Sequence, residues 1–432
     1  MSKSSMKQWF KYMLIILFFN FNLILSDYGF NSSDESINHE RESINYLITK
    51  KLIESQNTSL IDEKIEKFRA QNHIRGLSVA YVNKDKLVFA KGYGYADEEA
   101  KLPVTSDHLF RIASVSKLIT AIGIMKLVEN SKISLDSKVF GKEGILNDPQ
   151  FLNIKDKRLE KITVRNLLNH SAGWTQHYGD LAFLPKVVSK GVGDALPVSV
   201  DSYIKFVTSR NLHFEPGTRS CYSNVGYLIL GKVISKVSGM EYEKYIQENV
   251  LLPANITDMQ LGGSFYEEKL SNEVKYYEPQ EAKPEECFDG SGRLLPKIYG
   301  GNDLKVLGAA AGWLASAVDL LKLYVVIDKD PTVKDILTPE SIDEMTKVDP
   351  EGLDPLGWRK TKIDGEWVRT GTLSGSSALI KRQSDGAAWA ILSNTSTYKG
   401  PHLAMEMDRV INQIDIRKIT WPDYNLFTYH QH

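Results

Sequence analysis

The sequence predicts an α+β fold: one antiparallel sheet flanked by helices, built from both chain ends, with an α-rich subdomain inserted between its halves. Three observations lead there. Strand-like apolar runs occur early, at 77–82 and 87–91, and return late, at 367–371, 377–382 and 387–393. Helical spacing dominates between them, from Ser114 to about Gly262. No internal repeat or low-complexity tract offers another way to organise 432 residues. The economical solution places a site where sheet and inserted helices meet.

In chain order, Lys3, Lys7 and Lys11 precede an apolar run, Tyr12–Leu25, broken only by Asn20 and Asn22 and followed by the small Ser26. Residues 1–26 read as a secretory signal peptide, or as a short anchor if uncleaved. A mitochondrial presequence is the alternative address, but the run has no polar face and no arginine precedes Arg41. Residues 27–58 are polar and aperiodic, a linker. Ordered structure starts near Ser59, where Ile61, Ile65 and Phe68 mark one helix face. Two strands around Asn83-Lys84-Asp85-Lys86 follow as a hairpin, and the Gly92–Asp97 run reads as a series of turns. Helices are expected at 164–168, 200–208, 227–237 and 242–250. Asp319 reads as the cap of a helix over 320–326, and Ser384-Asp385-Gly386 as the turn between the last two strands. A final helix spans 402–414, and 416–432 form a tail. The folded domain is therefore expected over 59–415, its sheet part from about 59–112 and 305–415 and its α-rich part from 113–304.

Composition narrows the partners. Lys and Arg total 53 against 54 for Asp and Glu, a net charge of −1, so no global field attracts nucleic acid or an anionic membrane. A small molecule or short peptide is the expected partner, with no membrane contact beyond the possible N-terminal anchor. Cys221 and Cys287 allow at most one disulfide, so the fold rests on its core. Asn31, Asn57, Asn255 and Asn394 each open an Asn-x-Ser/Thr site, compatible with glycosylation of a secreted chain, whereas Asn169, in the same motif, is expected to be buried. No cofactor is implied: Gly92-x-Gly94 is too short and wrongly placed for a dinucleotide, and His170 with His177 lack a third metal ligand.

The chemistry concentrates at Phe110–Leu118. Ser114 and Lys117 are one helical turn apart, at the mouth of the apolar run 118–125. A serine hydroxyl is a weak nucleophile, and an amine held beside it in a dry pocket is pushed toward its proton-accepting form. Spacing alone is not specific: Ser4/Lys7, Ser202/Lys205 and Ser396/Lys399 repeat it. Context distinguishes Ser114, because a helix apolar on nearly every side is buried. Two later stretches supply what a nucleophile needs. Tyr222-Ser223-Asn224 offers a phenol whose pKa a neighbouring ammonium lowers, with an amide that donates and accepts. Arg369-Thr370-Gly371-Thr372 ends a strand, its glycine letting a substrate approach the backbone.

Ser114-x-x-Lys117, Tyr222-x-Asn224 and a cationic-Thr-Gly on a late strand, in this order, resemble the serine β-lactamase-related family, which includes class C β-lactamases, penicillin-binding D-peptidases and carboxylesterases. The runs 110–117, 167–173, 222–227 and 310–316 look like further landmarks, and Gly92–Asp97 is similar to a segment of the animal mitochondrial β-lactamase-like protease. The likeness covers roughly 61–414. It implies that Ser114 forms an acyl-enzyme, that Lys117 and Tyr222 share the proton work, that Asn224 orients substrate, and that the N–H groups of Ser114 and Thr372 form an oxyanion hole. Arg369 departs from the usual Lys or His. It keeps positive charge for carboxylate-bearing substrates but is bulkier and never gives up its proton, so true β-lactam hydrolysis is not expected. The expected function is a serine acyl-hydrolase, esterase or peptidase-like, acting on a small ester or amide. The alternative is a non-catalytic binding or self-assembling protein on the same fold.

Overall fold

A computed structural model describes residues 58–177, 179–421 and 423–430. The apolar run, most of the polar linker, Asn31, Asn57, Tyr178 and the Ser4/Lys7 pair lie outside the described residues.

The chain begins with α1 (Ser59–Gln71), the hairpin strands β1 (Gly76–Asn83) and β2 (Lys86–Asp97), the short strands β3 (Leu102–Pro103) and β4 (Phe110–Arg111), and the helix α2 (Ser116–Glu129). The middle holds α3 (Val164–Leu168), α4 (Pro185–Val192), α5 (Val200–Thr208), α6 (Asn224–Ser238) and α7 (Tyr242–Ile246), then the two-residue strands β5 (Gln260–Leu261), β6 (Glu285–Glu286) and β7 (Leu294–Leu295). The last third forms β8 (Trp313–Ala315), α8 (Ala317–Tyr324), α9 (Pro339–Thr346), β9 (Lys360–Thr361), β10 (Trp367–Leu373), β11 (Ser376–Arg382), β12 (Ala388–Ser393) and α10 (His402–Ile411).

The main sheet has seven strands in the order β3-β2-β1-β12-β11-β10-β9, paired antiparallel. Its central seam joins the two chain ends, Leu77 opposite Ser393 and Val82 opposite Ala388. The early and late strands therefore share one sheet, as expected. β1, β11 and β12 are buried almost throughout, because α8 packs on β12, β1 and β2 while α10 packs on β11 and β10. Helices cover the sheet and exclude water from its middle.

Three local readings are corrected. Gly92–Asp97 does not turn but continues β2, with Gly92 opposite Ser78 and Gly94 opposite Gly76. Glycine is needed there for approach: a Cβ on Gly92 would stand 2.0 Å from Val104 O. The cap of α8 is Ser316, whose Oγ accepts from Asp319 N at 3.0 Å and donates to Asp319 Oδ2 at 2.8 Å. Asn394 has no room for a glycan. It is fully buried, accepting from Gly76 N at 2.8 Å and donating to Tyr95 O and Lys275 O, and so ties the sheet's two halves together. Asn255 is exposed, and Asn169 is buried as its sequence context implies. Cys221 and Cys287 are both free.

α2 is the buried helix its composition implies, with everything from Ser116 to Met125 inside. Its polar side chains are satisfied: Thr120 Oγ1 donates to Ala309 O at 2.7 Å, and Ser116 Oγ accepts from Trp313 N at 3.2 Å. These bonds fix the 308–313 segment against α2, which matters for Lys117.

Candidate active site

Ser114 lies in a 3₁₀ turn, Ala113–Val115, that leads into α2. Ala113 has φ +46°, a conformation an L-residue keeps only when its surroundings impose it. The preceding strand is pinned by Arg111 N donating to Tyr276 Oη at 2.8 Å and Ile112 N donating to Trp313 O at 3.1 Å. From the other side β10 presses in at Gly371. A Cβ there would stand 2.2 Å from Ile112 O and 2.9 Å from Ser114 N. Gly371 thus makes room for the turn that carries Ser114. The turn leaves Ser114 half-exposed between fully buried Ala113 and Val115.

Two donors converge on that serine. Lys117 Nζ donates to Ser114 Oγ at 3.1 Å, and Tyr222 Oη donates to it at 2.7 Å. Lys117 is fully buried and also donates to Asn224 Oδ1 at 2.5 Å and Ala310 O at 2.8 Å, so all three of its protons have acceptors. Burial pushes the Lys117 ammonium down, with help from the Arg369 charge and against the pull of Tyr222, to about 8. Burial alone would raise the Tyr222 phenol, but the Lys117 and Arg369 charges and the bonds to Lys117 and Ser114 bring it down to about 8. Two groups of similar proton affinity thus flank one hydroxyl, and a proton moves between them at little cost.

A second layer holds these side chains. His170 Nδ1 accepts from Ser223 N at 3.2 Å, and its ring packs 4.5 Å from Tyr222 and 5.2 Å from Tyr227. Burial pushes this imidazole well below its ordinary range, so it is a neutral support. Asp180 Oδ2 accepts from Asn224 Nδ2 at 2.5 Å and from Gln176 Nε2 at 2.8 Å, which turns the Asn224 carbonyl toward Lys117. Arg111 is structural, as its position before the nucleophile suggests: it lies 3.8 Å from Glu273, donates to Ile298 O and Gly263 O, and stacks on Tyr276.

Arg369 differs from the expectation. Its Nε donates to Ser114 O at 2.7 Å and its Nη2 to Tyr222 Oη at 3.2 Å, and the residue is 1% exposed. It braces the backbone at Ser114 and lowers the phenol, while its buried Nη1 has no hydrogen-bond partner among the described residues. Strand alternation explains the burial: Trp367, Arg369, Gly371 and Leu373 point inward, while Thr370 and Thr372 are half-exposed on the other face. Thr372 follows Gly371 on β10 and pairs with Ser377 of β11. The exposed arginine near the site is Arg359, its guanidinium 5.8 Å from the Tyr222 ring and 3.7 Å from Asp354. Ala310 falls in the 310–316 run singled out in the sequence, whereas Asp180 and Arg359 carry no such signal. Nothing local marks them, since each meets the site from a distant part of the chain.

Beside Tyr222 and Asp180 opens a cavity of about 350 Å³, between α4, α5 and the 174–184 segment. Trp174 is among its walls. Among the described residues no cluster of three or more His, Cys, Asp or Glu is arranged for a metal ion.

A profile of the beta-lactamase family matches residues 61–410. The chain belongs to the beta-lactamase family. Within that family it is 28% identical over 228 residues to Protein flp of Staphylococcus aureus strain COL, and 29% identical over 189 residues to Penicillin-binding protein 4* of Bacillus subtilis strain 168. These matches cover 52% and 43% of this chain but only 43% and 37% of the two relatives, so it spans less than half of either. Among solved structures, the octameric penicillin-binding protein homologue from Pyrococcus abyssi is 29% identical, with TM-score 0.61 over 84% of this chain and 79% of the other. The D-amino acid amidase of Ochrobactrum anthropi SV3 shares the fold, with 22% identity and TM-score 0.63 over 84% of this chain and all of the amidase. EstCE1, a hydrolase with promiscuous acyltransferase activity, is 19% identical, with TM-score 0.61 over 82% of this chain and 98% of the other.

Proposed function

We propose that this beta-lactamase-family chain is a serine acyl-hydrolase that acts on a small ester or amide through an acyl-enzyme at Ser114. The observation that carries the reading is one hydroxyl bonded to both Lys117 and Tyr222, each brought to about 8. With one of the pair deprotonated, the Ser114 proton passes to it as Oγ attacks the carbonyl carbon. The N–H groups of Ser114 and Thr372 are the proposed donors to the oxyanion, at the edge where β10 meets the turn. Tyr222 returns the proton to the leaving atom, and a water activated by the same pair then releases the acid. Asn224, held by Asp180, orients Lys117 and the substrate. Arg369 is buried, with Nε on Ser114 O and Nη2 on Tyr222, and is bulkier than the usual Lys or His, so efficient β-lactam hydrolysis is not part of the reading. Similar proteins named as a D-amino acid amidase, as a hydrolase with promiscuous acyltransferase activity and as a penicillin-binding protein support the reading. We also place the protein in the secretory pathway on its lysine-flanked apolar run.

The pH profile tests this. Activity needs the pair to have lost one proton, so kcat/KM on a small neutral ester, with Ser114→Ala as the blank, should rise with pH and level off above about 8. A profile flat from pH 6 to 9 would contradict the pairing of Lys117 with Tyr222.

A further inference from the structure

Tyr222 belongs to two environments. Its phenol oxygen is 2.7 Å from Ser114 Oγ, and the same residue lines the cavity of about 350 Å³, whose walls include neither Ser114 nor Lys117. The two environments therefore share Tyr222 as a common wall. Its volume falls within the range of small-molecule pockets, roughly 300–1,000 Å³. Trp174, Leu181, Leu184, Phe206, Val207 and Val225 give it an apolar interior. Asp180 and Arg210 are the charged wall residues: Arg210 is exposed, its guanidinium 4.7 Å from the Phe206 ring, and Asp180 Oδ2 already accepts from Asn224 and Gln176, and its Oδ1 from Ala182 N. A cationic guest would have to displace those bonds, whereas an apolar one would leave them intact.

The side of the substrate that enters follows from the chemistry. A general acid must lie within hydrogen-bond reach of the atom it protonates. If Tyr222 protonates the leaving oxygen or nitrogen, that atom sits at Tyr222 Oη, and whatever is attached to it continues past the phenol. We propose that the cavity takes the leaving group, and that the favoured substrates carry an uncharged apolar one, aryl or branched alkyl, on a small acyl group. This rests on the acyl-hydrolase reading. In the step itself the Ser114 Oγ–acyl bond forms and the carbonyl C–O bond of the ester breaks. The departing oxygen keeps the bonding electron pair and takes the Tyr222 proton, and the alcohol is released into the apolar cavity. Water later cleaves the acyl-enzyme to the free acid.

Two ester series test the assignment on the full folded chain: acetates of methanol, butanol and benzyl alcohol, and methyl esters of acetic, pentanoic and phenylacetic acids. The expected result is that kcat/KM climbs along the alcohol series, by up to about fourfold per methylene buried, and changes little along the acyl series. Val187→Trp, at a half-exposed wall position on α4, should flatten the alcohol series by filling the cavity, with a thermal melt to check folding. Ser114-dependent turnover that climbs with the acyl series and not with the alcohol series would overturn the inference and leave the hydrolase standing. Two flat series would overturn it as well. No Ser114-dependent turnover on any ester would overturn both.

Discussion

Lys117→Ala should fold and lose turnover on a small ester by about 100-fold or more, the effect typical of removing a general base. Lys117 is the one charged side chain of α2 that is wholly enclosed, and it is held by Ser114 Oγ, Asn224 Oδ1 and Ala310 O. Losing it leaves two buried acceptors, Asn224 Oδ1 and Ala310 O, without this donor, at about 1–3 kcal/mol each. It also removes the cost of burying an ammonium, so the fold should survive while the chemistry does not. Lys117→Arg should fail too, because a guanidinium keeps its proton and is bulkier. Circular dichroism confirms the fold, and steady-state kinetics read the loss. Near-normal activity in Lys117→Arg would make Lys117 an electrostatic support and leave Tyr222 as the base.

Tyr222→Phe should cost a similar factor, about 10²–10⁴ in kcat, but unevenly across substrates. The substitution removes only Oη, so the ring's packing on His170 remains. What disappears is the acid at the leaving atom and the acceptor for Arg369 Nη2. An alkyl alkoxide leaves poorly without a proton, whereas a nitrophenolate leaves well without one. The loss should therefore be much larger on an ethyl ester than on a nitrophenyl ester of the same acid. Equal losses on the two would show that Tyr222 positions Ser114 without handling the proton.

The parts of this molecule legible in its sequence are those set by local pattern. The near-continuous apolar runs at 77–82 and 387–393 mark strands buried on both faces, and their pairing puts them side by side in one sheet. Gly92–Asp97 was misread because glycine signals turns on average, while here pairing with β1 and close approach of Val104 override that propensity. Asp319 was taken for a cap because Ser316 and Asp319 are the two ends of one reciprocal capping arrangement three residues apart. Ser114 and Lys117 were legible because a helical turn puts them together whatever else the chain does. The decoy Ser202/Lys205 has the same spacing, but there both side chains turn to Asp194, which ends their usefulness to each other. Arg369 shows the limit. Its residue type was visible, but its direction depended on strand register against the Ser114 turn, which only the folded sheet sets. Asp180 was invisible for the same reason, reaching Asn224 across 44 residues of chain.

The central claim is that Ser114 is the nucleophile, and covalent labelling tests it most directly. The full chain would be treated with a fluorophosphonate, digested, and mapped by mass spectrometry alongside Ser114→Ala. The account predicts a single adduct on the peptide carrying Ser114, none on those carrying Ser202 or Ser396, and loss of label and ester turnover together in the alanine variant. An unlabelled Ser114, or ester hydrolysis that survives Ser114→Ala, would contradict it.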